Sequence, residues 1–190
     1  MSDDLQALEA RLAAYVGQPM GEPGTGPDPV NVPMVHHWVD AFDDRNPIYE
    51  DDAAGEEAGH GGQVAPPAML QTWTMARPRI EGIAERGGSP VEMSADSPIV
   101  VLDEAGYVGT LATNSELEFT RYLRPGERVH FATEIESISN QKTTSLGKGF
   151  FLTWVTTYRD DAGEVVGRQL FRILKFDPST IDPSKLGASR

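Results

Sequence analysis

The sequence predicts an α+β domain in which helices come first and a curved antiparallel sheet then wraps around one short apolar helix. Three observations predict it. Apolar residues keep helical spacing up to about residue 77. From Ile99 onward the period changes to two. Turn signals, not helices, separate the later apolar runs, which argues against alternating β-α-β units.

Leu5, Leu8, Leu12 and Tyr15 share one helical face, so Asp3 to Val16 reads as an amphipathic helix. Asp3 and Asp4 suit its N-terminus and Gly17 its end. Residues 17–33 hold five prolines and four glycines and read as an extended connector. Pro33 opens a second helix that stops near Asp43. Asn46-Pro47 marks a turn, and Glu50 to Ala58 a short acidic helix. The loop Gly59-His60-Gly61-Gly62 precedes Pro66-Pro67. Those prolines start an apolar helix with Met69, Leu70 and Trp73 on one side. Pro78 ends it near Arg77, leaving about 11 residues, roughly 16 Å of helix. Residues 84–98 read as a mobile loop.

The expected strands are Ile99–Leu102, Ser115–Leu123, Arg128–Ser139, Gly149–Arg159 and Val165–Phe176. Pro125-Gly126 and Asp160 to Gly163 are turns between them. Residues 1–178 form one domain, and 179–190 a loose polar tail.

Composition narrows the function. The 190-residue chain has no cysteine, which excludes a thiol nucleophile and a cysteine-ligated metal. A net charge of −13 argues against nucleic acid and anionic membranes as partners. Residues 1–120 carry 5 basic and 21 acidic side chains, residues 121–190 carry 11 and 8. An anionic ligand should therefore meet the C-terminal half, unless the asymmetry is only solvated surface. The N-terminus lacks an apolar signal core, and no run is long enough to span a bilayer, so a cytoplasmic protein is expected. His36 and His37 point different ways on a helix, and His130 alternates with apolar strand residues. No metal site is expected.

The stretch Phe42-Asp43-Asp44-Arg45-Asn46-Pro47-Ile48-Tyr49 resembles the signature of MaoC-like (R)-specific enoyl-CoA hydratases. That signature runs roughly Gly-Asp-x-Asn-Pro-(aliphatic)-His on a hot-dog fold, and its Asp and His move the protons. Asp44, Asn46 and Pro47 match, Asp43 replaces the glycine, and Tyr49 replaces the histidine. Further stretches, AGHGGQVAPPAMLQTWTM, LDEAGYVGTLATN, RYLRPGE and FRILKF, resemble one branch. It is the N-terminal MaoC-like half of the larger subunit of the actinobacterial heteromeric steroid-side-chain enoyl-CoA hydratase. The likeness covers about residues 5–177.

The resemblance implies a single hot-dog domain and a non-catalytic, substrate-binding subunit. The reaction would add water to a 2-enoyl-CoA, with no cofactor beyond the CoA of the substrate. A small MaoC-like subunit would supply the catalytic Asp and His in an α2β2 heterotetramer. An OB-like domain would follow and could engage a thiolase-like aldolase. Two other readings stand beside this one. The chain could be an acyl-CoA-binding scaffold module, or a subunit of a 3-hydroxyacyl-carrier-protein dehydratase.

A hydratase needs one group to deprotonate water and another to protonate carbon. Histidine suits this near neutrality, whereas a tyrosine near pKa 10 is a poor base. Tyr49 therefore reads as packing in a vestigial motif, with an acid or hydrogen-bond donor as the alternative. Asp44 either orients water or caps the turn. Asn46 reads as structural. His60 has no acidic partner fixed by spacing. Gly62, Val64, Ala65, Met69 and Trp73 are expected to line the ligand. Because Pro66 and Pro67 lack N–H groups, Ala65, Ala68 and Met69 are the donors available for a thioester oxygen. Gly147, Lys148 and Gly149 either admit pantetheine and a CoA phosphate or simply begin a strand. The short central helix should leave space for a bulky ring body, with Met69, Trp73 and residues near 77–98 lining or gating it.

Overall fold

A computed structural model describes residues 3–85, 94 and 96–181. Helix α1 covers Asp3–Ala13, with acids in its first turn and Arg11 in its last, both matching the helix dipole. A two-residue strand, β1 (Gly24–Thr25), lies in the connector. Helix α2 spans Val32–Phe42. Asn31 caps it by accepting from the Met34 amide at 3.1 Å, and Asp43 closes it in the left-handed region at φ 52°. A 3₁₀ turn at Pro47–Tyr49 leads into α3 (Asp52–Glu57). A 3₁₀ helix, Pro67–Thr74, follows, and then α4 (Pro98–Glu104). The sheet strands are β2 (Gly109–Phe119), β3 (His130–Ile138), β4 (Lys142–Thr144), β5 (Gly147–Arg159) and β6 (Val165–Phe176).

The sheet order is β1-β3-β5-β6-β2, with β4 paired to β5, and every pairing is antiparallel. Side chains alternate across it, so register decides which face each occupies. Leu152 lies opposite Ile173, Trp154 opposite Phe171, Thr156 opposite Gln169 and Tyr158 opposite Gly167. These residues form the inner face, which carries two apolar clusters. One joins Phe150, Leu152 and Ile173 to Leu12, Val101 and Leu102 of α1 and α4. The other joins Tyr158 and Val166 to Val35 and Val39 of α2 and to Met69, Leu70 and Trp73. Lys175, 2 % exposed, ties α4 to the sheet. Its Nζ donates to Asp103 Oδ1 at 2.5 Å and to Thr110 Oγ1 at 2.9 Å.

The two sheet edges differ. Residues 17–26 run beside β3, with Met20 N donating to Thr133 O, Ile135 N to Gln18 O and Gly26 N to Val129 O. Among the described residues β2 pairs with β6 alone, so its other side is open. Val108, Leu111 and Phe119 are exposed there. A long open edge with apolar side chains invites a further strand or sheet.

Four expectations need correction. Ile99–Leu102 is helical, within α4, because Ser97 Oγ accepts from Ile99 N and Pro98 occupies the first turn. Its apolar run packs one face of a helix onto β5 and β6. The next strand begins at Gly109 and ends at Phe119, rather than spanning 115–123. A register shift between Ala112 and Asn114 breaks its alternation, which hides it from a period-two reading. The central helix is 3₁₀ and stops at Thr74, three residues before Arg77, where the Met75 amide bonds Thr72 O and the backbone turns extended. The tail is anchored at its start, since Asp177 caps the turn Pro178–Thr180 and Lys148 N donates to Thr180 Oγ1. The short strands β1 and β4 carried no sequence signal. Of the expected loop, residues 86–93 and 95 lie outside the described residues, as do 182–190 of the tail.

If α4 is a packed helix, Leu102→Ala should lower stability by about 2–5 kcal/mol in urea unfolding. A loss of only a few tenths would contradict its burial.

Candidate functional site

The sequence motif folds as two nested turns. Asp44 Oδ1 accepts from Asn46 N at 3.2 Å, and Asn46 Oδ1 accepts from Ile48 N at 3.3 Å. Both side chains thus serve the local backbone, the turn role open to Asp and Asn. The second turn carries Tyr49 into the core, where it is 6 % exposed beside Tyr122, with ring centroids 6.5 Å apart. Burial pushes the Tyr49 phenol up to about 12, with Tyr122 and the charge of Asp44 adding to the effect and Asn46 opposing it. A phenol so held keeps its proton through the neutral range and cannot take one from water there.

The glycine loop is locked to this turn. Gly55 and Gly62 are in such close contact that a Cβ on Gly55 would fall 2.0 Å from Gly62 O. Gly62 itself has φ 131°, a conformation side chains rarely adopt. Gln63 N donates to Asp52 Oδ1 at 2.8 Å, and Gln63 Nε2 to Tyr49 O at 2.6 Å. His60 packs edge-on against Tyr122 at 4.6 Å, and among the described residues its ring has no hydrogen bond or ion pair. The loop then adds two rungs. Val64 N donates to Ile48 O, and Ala65 N to Leu123 O.

That pairing decides the donors for a thioester oxygen. Ala65 N is committed to Leu123 O, and Met69 N donates to Pro66 O at 3.0 Å. Two of the three expected amides are therefore engaged within the chain. Val64, Ala65, Met69 and Trp73 are all at most 3 % exposed and share one cluster with Tyr49, Tyr158 and Leu123. Trp73 Nε1 is a fully buried donor with no partner among the described residues, a costly state unless a water or ligand meets it.

The structure does not bring Gly147, Lys148 and Gly149 to this place. They begin β5, whereas Tyr158, which packs with Met69 and Trp73, lies near its other end, roughly 30 Å along the strand. The glycines there answer to the chain's own packing. A Cβ on Gly147 would meet Thr180 Oγ1 at 2.5 Å, and one on Gly149 would meet Lys175 O at 2.3 Å. A cavity of about 610 Å³ opens elsewhere, on the outer sheet face between Pro19, Glu22, Glu134, Val155, Arg159 and Arg168. Among the described residues no group of three or more acids or histidines could hold a metal. No helix among them is long and apolar enough to cross a membrane. Tyr122, Gln63 and Leu123 escaped sequence reasoning as parts of the site. The stretch RYLRPGE, which holds Tyr122 and Leu123, was the available signal.

A family model for the FAS1-like dehydratase domain region matches residues 14–169. The chain belongs to this family. It is 44% identical over 179 residues to a probable enoyl-CoA hydratase alpha subunit of Thermomonospora curvata, covering 93% of this chain and 54% of that protein. It is 45% identical over 177 residues to the 3-oxo-4,17-pregnadiene-20-carboxyl-CoA hydratase alpha subunit of Mycobacterium tuberculosis, covering 93% and 53%. The chain spans about half the length of the curated relatives it matches. A chain of the ChsH1–ChsH2 complex from Mycobacterium tuberculosis superposes with a TM-score of 0.75 at 42% identity, covering 92% of both chains. The arrangement is the hot-dog fold of MaoC-like dehydratases, so the resemblance read from the motif holds.

Burial pushes both Tyr49 and the more deeply buried Tyr158 up to about 12 in the folded chain, against 10.0 for an exposed phenol. Between those values the folded state binds more protons, so stability should fall as pH rises from 10 to 12. The slope is about 1.4 kcal/mol per pH unit for each tyrosine. Urea midpoints measured across that range should flatten in Tyr49→Phe. An unchanged slope would show that the phenol is not buried.

Proposed function

We propose that this chain is the non-catalytic, substrate-shaping subunit of a heteromeric enoyl-CoA hydratase. The substrate is a 2-enoyl-CoA thioester on a bulky steroid side chain. The observation that carries this reading is the state of the motif. Asp44 and Asn46 are spent on turns, and Tyr49 is a buried neutral phenol where the family pattern has histidine. The motif therefore lacks the imidazole that would exchange a proton between water and carbon near neutral pH. The likeness to two hydratase alpha subunits and to a chain of a two-component complex supports a partner that supplies the missing pair.

The partner is a small hot-dog subunit carrying a working Asp and His. It docks on the open edge of β2, whose exposed Leu111 and Phe119 flank unpaired backbone. Water adds across the carbon–carbon double bond on the partner's side. Gly62, Val64, Ala65, Met69 and Trp73 form this chain's wall, and Trp73 Nε1 is the buried donor nearest to hand for a ligand oxygen or water. Gly147, Lys148 and Gly149, at the opposite end of β5, do not share that wall. The assembly works in the cytoplasm with no cofactor beyond the substrate's CoA.

Mixing the purified chain with such a subunit tests the reading, with a steroid and a short-chain 2-enoyl-CoA assayed side by side. Hydration of the steroid thioester should appear only in the mixture, and Tyr49→Phe should leave its rate within about twofold. Robust hydration by this chain alone would overturn the division of labour. Thioester binding without activity in any mixture would favour the scaffold reading. Phe119→Asp should weaken association in sedimentation while leaving the far-ultraviolet circular dichroism of the free chain unchanged. Undiminished association would place the partner elsewhere.

A further inference from the structure

A polar row crosses the inner face between the two apolar clusters. Thr133 Oγ1 and Thr156 Oγ1 share a hydrogen bond of 3.0 Å. Thr156 lies opposite Gln169 on the neighbouring strand. Tyr158 Oη donates to Gln169 Oε1 at 2.8 Å, and Gln169 Nε2 donates to both Gln71 Oε1 and Ser115 Oγ at 3.1 Å. Tyr158 is 2 % exposed, Gln169 4 % and Thr156 8 %. A buried glutamine amid apolar layers is costly unless satisfied. This one is satisfied at every position, which fixes its orientation.

That orientation has a consequence at the open end of the row. Gln71 offers its carbonyl inward to Gln169, so its amide N–H groups are left for something else. Ser115 Oγ accepts from Gln169, so its O–H is left to donate. Among the described residues neither group has an acceptor, and both residues are exposed. Their surroundings are apolar. Trp154 and Phe171 form a half-buried ring pair at 5.2 Å on one side, and Leu117, Phe119 and Met75 are partly or largely exposed on the other. The nearby cations of β6, Arg168 and Arg172, point to the outer face by register, opposite Thr157 and Thr153. Two neutral donors in an apolar frame match one neutral oxygen with two lone pairs. They do not match a phosphate or carboxylate, which recruits cations.

We infer that Gln71 and Ser115 form a two-donor anchor for a ketone oxygen on the ring body of the thioester substrate, with Gln169 and Tyr158 as positioning residues behind them. This rests on the substrate reading given above. The rigid apolar rings lie along Trp154, Phe171 and Leu117, and the anchor sets how far the body slides, hence where its enoyl end meets the partner.

The test uses the reconstituted heteromer with three thioesters: a steroid 2-enoyl-CoA bearing a ring ketone, its ketone-free counterpart, and a short-chain 2-enoyl-CoA. The paired change Gln71→Leu with Ser115→Ala, on exposed positions, should raise KM for the ketone substrate about tenfold, as expected for two lost neutral hydrogen bonds. The kcat should hold, and the other two thioesters should be unaffected. Gln169→Leu should reproduce this ketone-specific loss, a signature that general loosening of the fold would not produce. Equal losses on ketone and ketone-free steroids, or none on either, would overturn the anchor alone. Loss of association between the subunits would reassign the pair to the docking edge and overturn it too. A wild-type heteromer that hydrates only the short thioester would reject the steroid reading, and the ring-ketone anchor with it.

Discussion

The pairing of β5 with β6 governs the rest of the molecule. Ten residue pairs hold one register from Gly149–Phe176 to Tyr158–Gly167, and a single shift follows at Arg159. Because side chains alternate, that register assigns Phe150, Leu152, Trp154, Thr156 and Tyr158 to one face. A one-residue slip would expose all five and bury Arg168 and Arg172 instead. The helices on the inner face take their places from this row. α1 and α4 cover Phe150 and Leu152, and the 3₁₀ helix covers Tyr158. Even the glycines obey it, since Gly167 leaves room for Leu70 and Gly149 for the backbone of Lys175.

Covering one sheet face with two short elements leaves a waist between them. A continuous central helix would bury the whole inner face with apolar side chains. Here the 3₁₀ helix stops at Thr74, and among the described residues the next helix begins at Pro98. The waist holds Trp154, Phe171, Thr156 and Gln169, which are more polar and, for the ring pair, more exposed than either flank. Stability is lost there relative to a filled core, because a half-buried aromatic pair forgoes part of its burial. The open β2 edge makes the same concession in backbone terms.

Much of the order of elements was legible in the sequence, because period and turn chemistry are local. The bounds of β6, the N-terminal helices and the resemblance in the motif were all readable. What was not readable depended on distant partners. Ile99–Leu102 reads equally as strand or helix until Leu12, Phe150 and Ile173 are known to surround it. The strand Gly109–Phe119 was obscured by its bulge. The glycines at 147 and 149 looked like ligand access, yet their space is taken by Thr180 and Lys175. Ala65 and Met69 looked like free donors until Leu123 and Pro66 claimed them. Spacing alone cannot show that a donor is already engaged.

The motif shows which positions of the signature the local fold itself uses. In Asp44-Arg45-Asn46-Pro47-Ile48-Tyr49 the Asp and Asn side chains close turns, and Pro47 sets the second turn's start. These residues are needed for the fold whether or not chemistry follows. The sixth position differs, since its side chain closes no turn and lies buried beside Tyr122 and Leu123, with its phenol in reach of Asn46 and Tyr122. A phenol there, where the signature has an imidazole, is not a base near neutral pH. The turns therefore depend on Asp44, Asn46 and Pro47, whereas the residue at position 49 closes neither of them.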